Sequence, residues 1–152
     1  MRTGIRFAAL LALSLTMVPM CAFSSDNKVP DEERIDALVA KADQAQPREQ
    51  CFLYAELVHQ MTELSVRQYA AGNVVKADGL LKRIQQFAQK IHLSLAANDK
   101  RLKHAQILLS NTAFRLTEML HATDYEDRPL VEKTLAQINQ AQTEAMMQVF
   151  SK

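Results

Sequence analysis

The chain is predicted to be all-α: an antiparallel up-down helical bundle of four long helices plus a shorter N-terminal helix, preceded by a cleavable signal peptide. Three observations predict this. Glycine occurs only three times and proline four times in 152 residues, so little interrupts long helical stretches. From Asp31 onward apolar side chains recur every three or four positions, and no stretch alternates apolar and polar residues for long enough to form a strand. Before that, Arg2 and Arg6 precede an apolar run from Phe7 to Val18, and Ala22-Phe23-Ser24 follows, which is the order of a secretory leader.

The run has 12 residues, whereas a membrane-spanning helix needs about 20. Residues 1–24 therefore read as a removable address, cut after Ser24, and no stable membrane span is expected after cleavage. Val18-Pro19-Met20 lacks the small residues that lipid attachment at Cys21 would require. Loss of Arg2 and Arg6 leaves 16 basic residues against 17 acidic ones. Global charge then predicts no nucleic-acid partner. The mature chain has 128 residues, enough for one domain with one core, and is expected to comprise a flexible arm at 25–30 and a helical domain at 31–152. It keeps a single thiol, Cys51. Internal disulfides are excluded, and Cys51 reads as a small hydrophobe at a helix edge. The leader places the protein in the periplasm or outside the cell.

Asp31, Glu32 and Glu33 suit the positive end of a helix dipole, and Ile35, Leu38, Val39 and Ala42 form one stripe, which predicts a first helix from Asp31 to Gln46. Pro47 ends it or starts the next. A second helix, Arg48 to Ala71, buries Leu53, Tyr54, Leu57, Val58, Met61, Leu64 and Ser65, with Glu56, Gln60, Glu63 and Arg67 opposite; Ala71-Gly72-Asn73 stops it. The third, Val74 to Ala97, has an apolar face of Ala77, Leu80, Leu81, Ile84, Phe87, Ala88, Ile91 and Leu95, and ends at Asn98-Asp99. The fourth, Asp99 to Thr123, carries two stripes: Leu102, Ala105, Leu109, Leu116 and Leu120 on the main side, Ile107 and Phe114 roughly opposite. That pattern predicts contacts on both sides. After an acidic turn, Asp127 and Pro129 open a fifth helix that buries Leu130, Val131, Leu135, Ile138, Ala141, Ala145, Met146 and Val149. Short connections predict that successive helices are antiparallel neighbours, with the first packed across the bundle.

Within this frame Met61, Leu64, Ser65, Gly72, Ala77, Leu81 and Ile84 resemble the spacing of one tetratricopeptide-type helical hairpin. Such a repeat would imply peptide binding. The pattern departs at Gln68 and Gln89, and a shift of 34 residues finds no second copy. A generic close-packed hairpin accounts for the same small residues.

Two E-x-x-H sequences, Glu56 to His59 and Glu118 to His121, each place a carboxylate and an imidazole on one helix face, as in ferritin-like di-iron bundles. The third helix holds no glutamate, so that ligand set is incomplete. Glu56 and His59 project about 150° from the centre of their helix's apolar face, at 100° per residue, and are expected to point at solvent. Glu118 and His121 are the better metal candidates, yet they supply two ligands where a structural zinc site uses four. Covalent haem is excluded by the absence of C-x-x-C-H. Axial haem ligation would draw on Met61, Met119, Met146 or Met147 and a histidine, but methionine at helical spacing is more often core filler. No cofactor is therefore expected.

Lys76, Lys82, Arg83, Lys90, Lys100, Arg101 and Lys103 face only Asp78 and Asp99 in the same stretch. Lys76, Lys82, Arg83 and Lys90 are thus candidates for binding an anionic surface such as lipid headgroups or an acidic protein, unless neighbouring helices supply the compensating acids. G-x-S-x-G, H-E-x-x-H and glycine-rich phosphate loops are absent. Cys51 and His59 lie about 12 Å apart along one helix, too far for a nucleophile and its base. The sequence thus predicts a non-enzymatic extracytoplasmic bundle acting by self-association or by binding an envelope or extracellular protein, with Ile107 and Phe114 as contact residues. The alternative is a metal- or haem-binding bundle with a redox or storage role.

Overall fold

A computed structural model describes residues 30–95 and 101–151. The leader, most of the arm and the Asn98-Asp99 break lie outside the described residues. Those described form an all-helical bundle with five α-helices and no strand: α1 (Glu32–Gln44), α2 (Pro47–Ala70), α3 (Val74–Ser94), α4 (Leu102–Ala122) and α5 (Arg128–Phe150).

The helix ends follow local chemistry. Asp31 is the cap of α1, its carboxylate accepting from the Arg34 amide at 2.8 Å. Pro47 starts α2 after extended backbone at Ala45 and Gln46, so α1 stops two residues earlier than expected. Gly72 takes φ 78°, which lets the Asn73 amide reach the Gln68 carbonyl at 2.8 Å and closes α2. Arg101 is the N-cap of α4, so the helix proper begins at Leu102 rather than Asp99.

α2 is the hub. It packs against α1, α3 and α4, while α5 packs against α3 and α4. Successive helices are neighbours within α2/α3 and within α4/α5, but α3 does not touch α4. This corrects the expectation that every helix lies beside the next. The two hairpins instead stack side by side. Phe52 meets Arg101, His59 meets Thr112, Glu63 meets Arg115 and Tyr69 meets Asp124, in the same order along α2 and α4, so these two helices run in the same direction. Gln85 to Thr134 and His92 to Glu144 set the same relation between α3 and α5. Within the first hairpin the order reverses, as Tyr54 meets Phe87 and Ser65 meets Ala77. α1 lies against α2 and reaches α3 through ion pairs, touching neither α4 nor α5.

Ile35, Leu57, Met61, Leu81, Ile84, Ile91, Leu109, Leu116 and Ile138 are the largest fully buried side chains. Each stabilises the fold by about 1.5–3 kcal/mol relative to an exposed position. Because α2 has partners on three sides, the whole run Cys51 to Ala55 is buried. The predicted apolar faces of α2 and α3 are buried throughout, as are Ile35, Leu38 and Ala42 of α1. Met146 departs from expectation and is exposed. It sits 100° round the helix from Ala145, which already brings α5 into contact, and so leaves the buried stripe.

Candidate functional site

The seam between α2 and α4 is polar. Thr112 is buried and its hydroxyl donates to the Leu108 carbonyl at 2.7 Å. That hydroxyl has one proton, so its contact with His59 Nδ1 at 3.2 Å requires the ring nitrogen to donate. In that arrangement His59 donates from Nδ1. Burial lowers its pKa, opposed by Glu63, with Arg115 adding to the lowering and Glu56 opposing it. The equivalent arrangement recurs between α3 and α5, where Thr134 donates to Leu130 and accepts from Gln85.

His59 thus corrects the expectation of a solvent-facing pair: it is half-buried against α4, and Glu56 is partly covered beside it. One turn further along, Arg115 grips Glu63 with two contacts, Nε to Oε1 at 2.7 Å and Nη2 to Oε2 at 3.2 Å. Its remaining arm holds Glu118 at 2.5 Å. Its hydrogen bonds to Glu63 and then to Glu118 raise the Arg115 pKa further above its ordinary range. Sequence reasoning did not single out Thr112 or Arg115 and placed Glu63 on the outer face. The available signal was the run Cys51 to Ala55, too continuous to be covered by one neighbour.

Of the metal candidates, Glu118 is bound to Arg115 and His121 is exposed in the last turn of α4. Among the described residues no group of three His, Cys, Asp or Glu side chains is placed to hold a metal ion. Met61 and Met119 are core residues, whereas Met146 and Met147 are exposed. Cys51 is fully buried. No helix among the described residues is long and apolar enough to cross a membrane.

The basic face of α3 finds acids on α1: Arg83 pairs with Asp36 and Lys90 with Asp43, both at 3.0 Å. Lys90 also lies over the Tyr54 and Phe87 rings. Lys76 and Lys82 remain exposed. The basic surface expected to meet an anionic partner is accordingly reduced by half, since two of its four candidates are already paired.

Ile107 and Phe114 remain 54% and 64% exposed. They lie about 110–130° from the α2-facing side of α4 and about 150–170° from its buried apolar stripe, at 100° per residue, and so form the helix's outermost ridge. Neither α1 nor α5 covers them. Ile107 is also the outer wall of a groove of about 270 Å³ between α2 and α4, whose other sides include Phe52, Glu56 and His104. No protein-family model, curated protein or solved structure matches this chain.

Proposed function

We propose that this is a non-enzymatic protein of the periplasm or extracellular space that acts by protein–protein contact through the outer ridge of α4. In this reading the leader directs export and is removed. The four long helices then follow an alternating up-down course as two stacked hairpins. A polar seam holds the stack in register, and no catalytic constellation is required. The lack of hydrolase and phosphate-loop motifs in the sequence supports the non-enzymatic part.

One observation carries the contact assignment. Val75, Leu93, Tyr125, Met146, Met147 and Phe150 are also exposed, but they sit in turns or near helix ends, Leu93 and Met147 sharing a groove where α3 and α5 end. Ile107 and Phe114 sit well inside their helix, two turns apart on one azimuth, with no intramolecular partner helix over them. Two large apolar side chains held in line on a rigid helix are the form of a helix-borne binding anchor. Phe114→Asp and Ile107→Asp are expected to abolish association in light scattering and partner-binding measurements. Because neither residue is in the core, stability should change by no more than about 0.5 kcal/mol. Association that survives both substitutions would refute the assignment.

A further inference from the structure

We infer that the partner of the α4 ridge is a second copy of this chain, docked antiparallel about a twofold axis through Ser110 and Asn111. The inference rests on the preceding reading that the ridge is a contact surface, and adds the occupant and its register. Four exposed side chains of α4, Lys103, Ile107, Phe114 and Glu118, lie within about 60° of one another around the helix. They are also concentric: Ile107 and Phe114 flank the Ser110–Asn111 midpoint equally, and Lys103 and Glu118 flank it equally four residues further out. A twofold axis at that midpoint sets Ile107 of one copy against Phe114 of the other, and Lys103 against Glu118, each contact occurring twice. Isologous dimers require such a self-complementary patch.

Charge selects this orientation. A parallel pairing would place Lys103 against Lys103 and Glu118 against Glu118, and a shift of one heptad would leave one apolar contact instead of two and separate Lys103 from Glu118. The same charges run against the dipole of α4 itself, which has no acidic residue in its first turn and carries Lys103 there. Local preference is thus violated within the monomer. In the antiparallel dimer each Lys103 lies beside the partner's Glu118 and the negative end of the partner's helix, which resolves the conflict. Ser110 and Asn111 at the axis are small and polar and allow close approach. Phe114 of the second copy then falls beside Ile107, at the rim of the groove between α2 and α4. Glu118 retains a carboxylate oxygen beyond the one held by Arg115 Nη1, and its side chain is 48% exposed.

Zero-length carbodiimide cross-linking of the purified chain, read by mass spectrometry, tests the register without mutation. Within one chain Lys103 and Glu118 are about 22 Å apart along the helix, at 1.5 Å per residue. A Lys103–Glu118 cross-link must therefore join two copies, and it is the expected product. In sedimentation equilibrium over a dilution series, Lys103→Glu and Glu118→Lys are each expected to weaken dimerisation about tenfold. The double variant should return to within about twofold of the original. A chain that is monomeric throughout the series overturns the inference. So does a dimer lost on Phe114→Asp but indifferent to the charge reversals and lacking the cross-link; that result would leave the ridge as a contact surface with another geometry. A dimer unaffected by Phe114→Asp would overturn both readings.

Discussion

The clasp between Arg115 and Glu63 is expected to be the strongest single polar link between the two hairpins, and a double-mutant cycle measures it. The perturbations are Glu63→Gln, Arg115→Met and their combination. The magnitude follows from geometry and exposure. Exposed ion pairs contribute about 0.2–1 kcal/mol, and hydrogen bonds to charged groups reach about 1.5–3 kcal/mol where solvent is excluded. Here two contacts of 2.7 and 3.2 Å form a fork, on side chains that are 34% and 29% exposed. Partial solvent access discounts the upper figure, and fork geometry raises the lower one. The coupling energy should be about 1–1.5 kcal/mol, read from urea unfolding followed by helical circular dichroism. The Arg115–Glu118 pair, which lies within α4, should give only about 0.2–0.5 kcal/mol in the same cycle. A Glu63–Arg115 coupling below about 0.3 kcal/mol, or one no larger than that of Arg115–Glu118, would refute the reasoning.

Three further outcomes are expected. Gly72→Ala should destabilise by about 1 kcal/mol because φ 78° is strained for any residue with a Cβ, whereas Gly79→Ala in α3 should stabilise by about 0.5–1 kcal/mol; neither Cβ would meet an atom within 4 Å, so equal effects in thermal unfolding would contradict the backbone explanation. Stability should fall as pH is lowered through 6.5, the ordinary value of a histidine, and level off below the lowered folded value of His59, since over that interval the unfolded chain binds the extra proton. His59→Gln should flatten that part of a pH–stability curve, and an unchanged slope would exclude His59 as its source. A separate loss should begin only as pH falls through 4.5. Burial works against the Glu144 carboxylate, but hydrogen bonds from His92 and Gln140 outweigh it and lower the folded pKa.

Helix identity was legible because α2 and α3 each present an apolar face at 3.6-residue spacing, and the structure buries every residue of those two predicted faces. Ends were read less well where neighbouring signals competed. Asp31 serves as a cap rather than a helical residue because its carboxylate turns back to the Arg34 amide. Partner choice was not legible. Periodicity says which face is covered and not by what, so the absence of contact between α3 and α4 could not be read from either helix alone. The candidate site shows both outcomes. The outward Ile107/Phe114 stripe of α4 was recognised, because two large apolar residues opposite a complete apolar face are anomalous. His59 was misplaced for the converse reason: a histidine beside glutamates looks solvated when only its own helix is considered. Burial of that face depends on Thr112, 53 residues away.

The division of labour between apolar and polar contacts explains how the ridge of α4 is held in place. Apolar packing joins α2 to α3 and α4 to α5, but its attraction is not directional, and sliding one hairpin past the other by one helical turn, about 5.4 Å, would keep much of it. The polar contacts across the stack are position-specific. Such a slide would break His59–Thr112, Glu63–Arg115, Gln85–Thr134 and His92–Glu144 together. Each contributes on the order of 1 kcal/mol net, so they matter less for total stability than for choosing one register. That register puts Arg115 against α2 and thereby turns Ile107 and Phe114 away from it. The polar seam and the exposed apolar ridge are thus two consequences of the same helix rotation, and weakening the seam should disturb contacts made by the ridge.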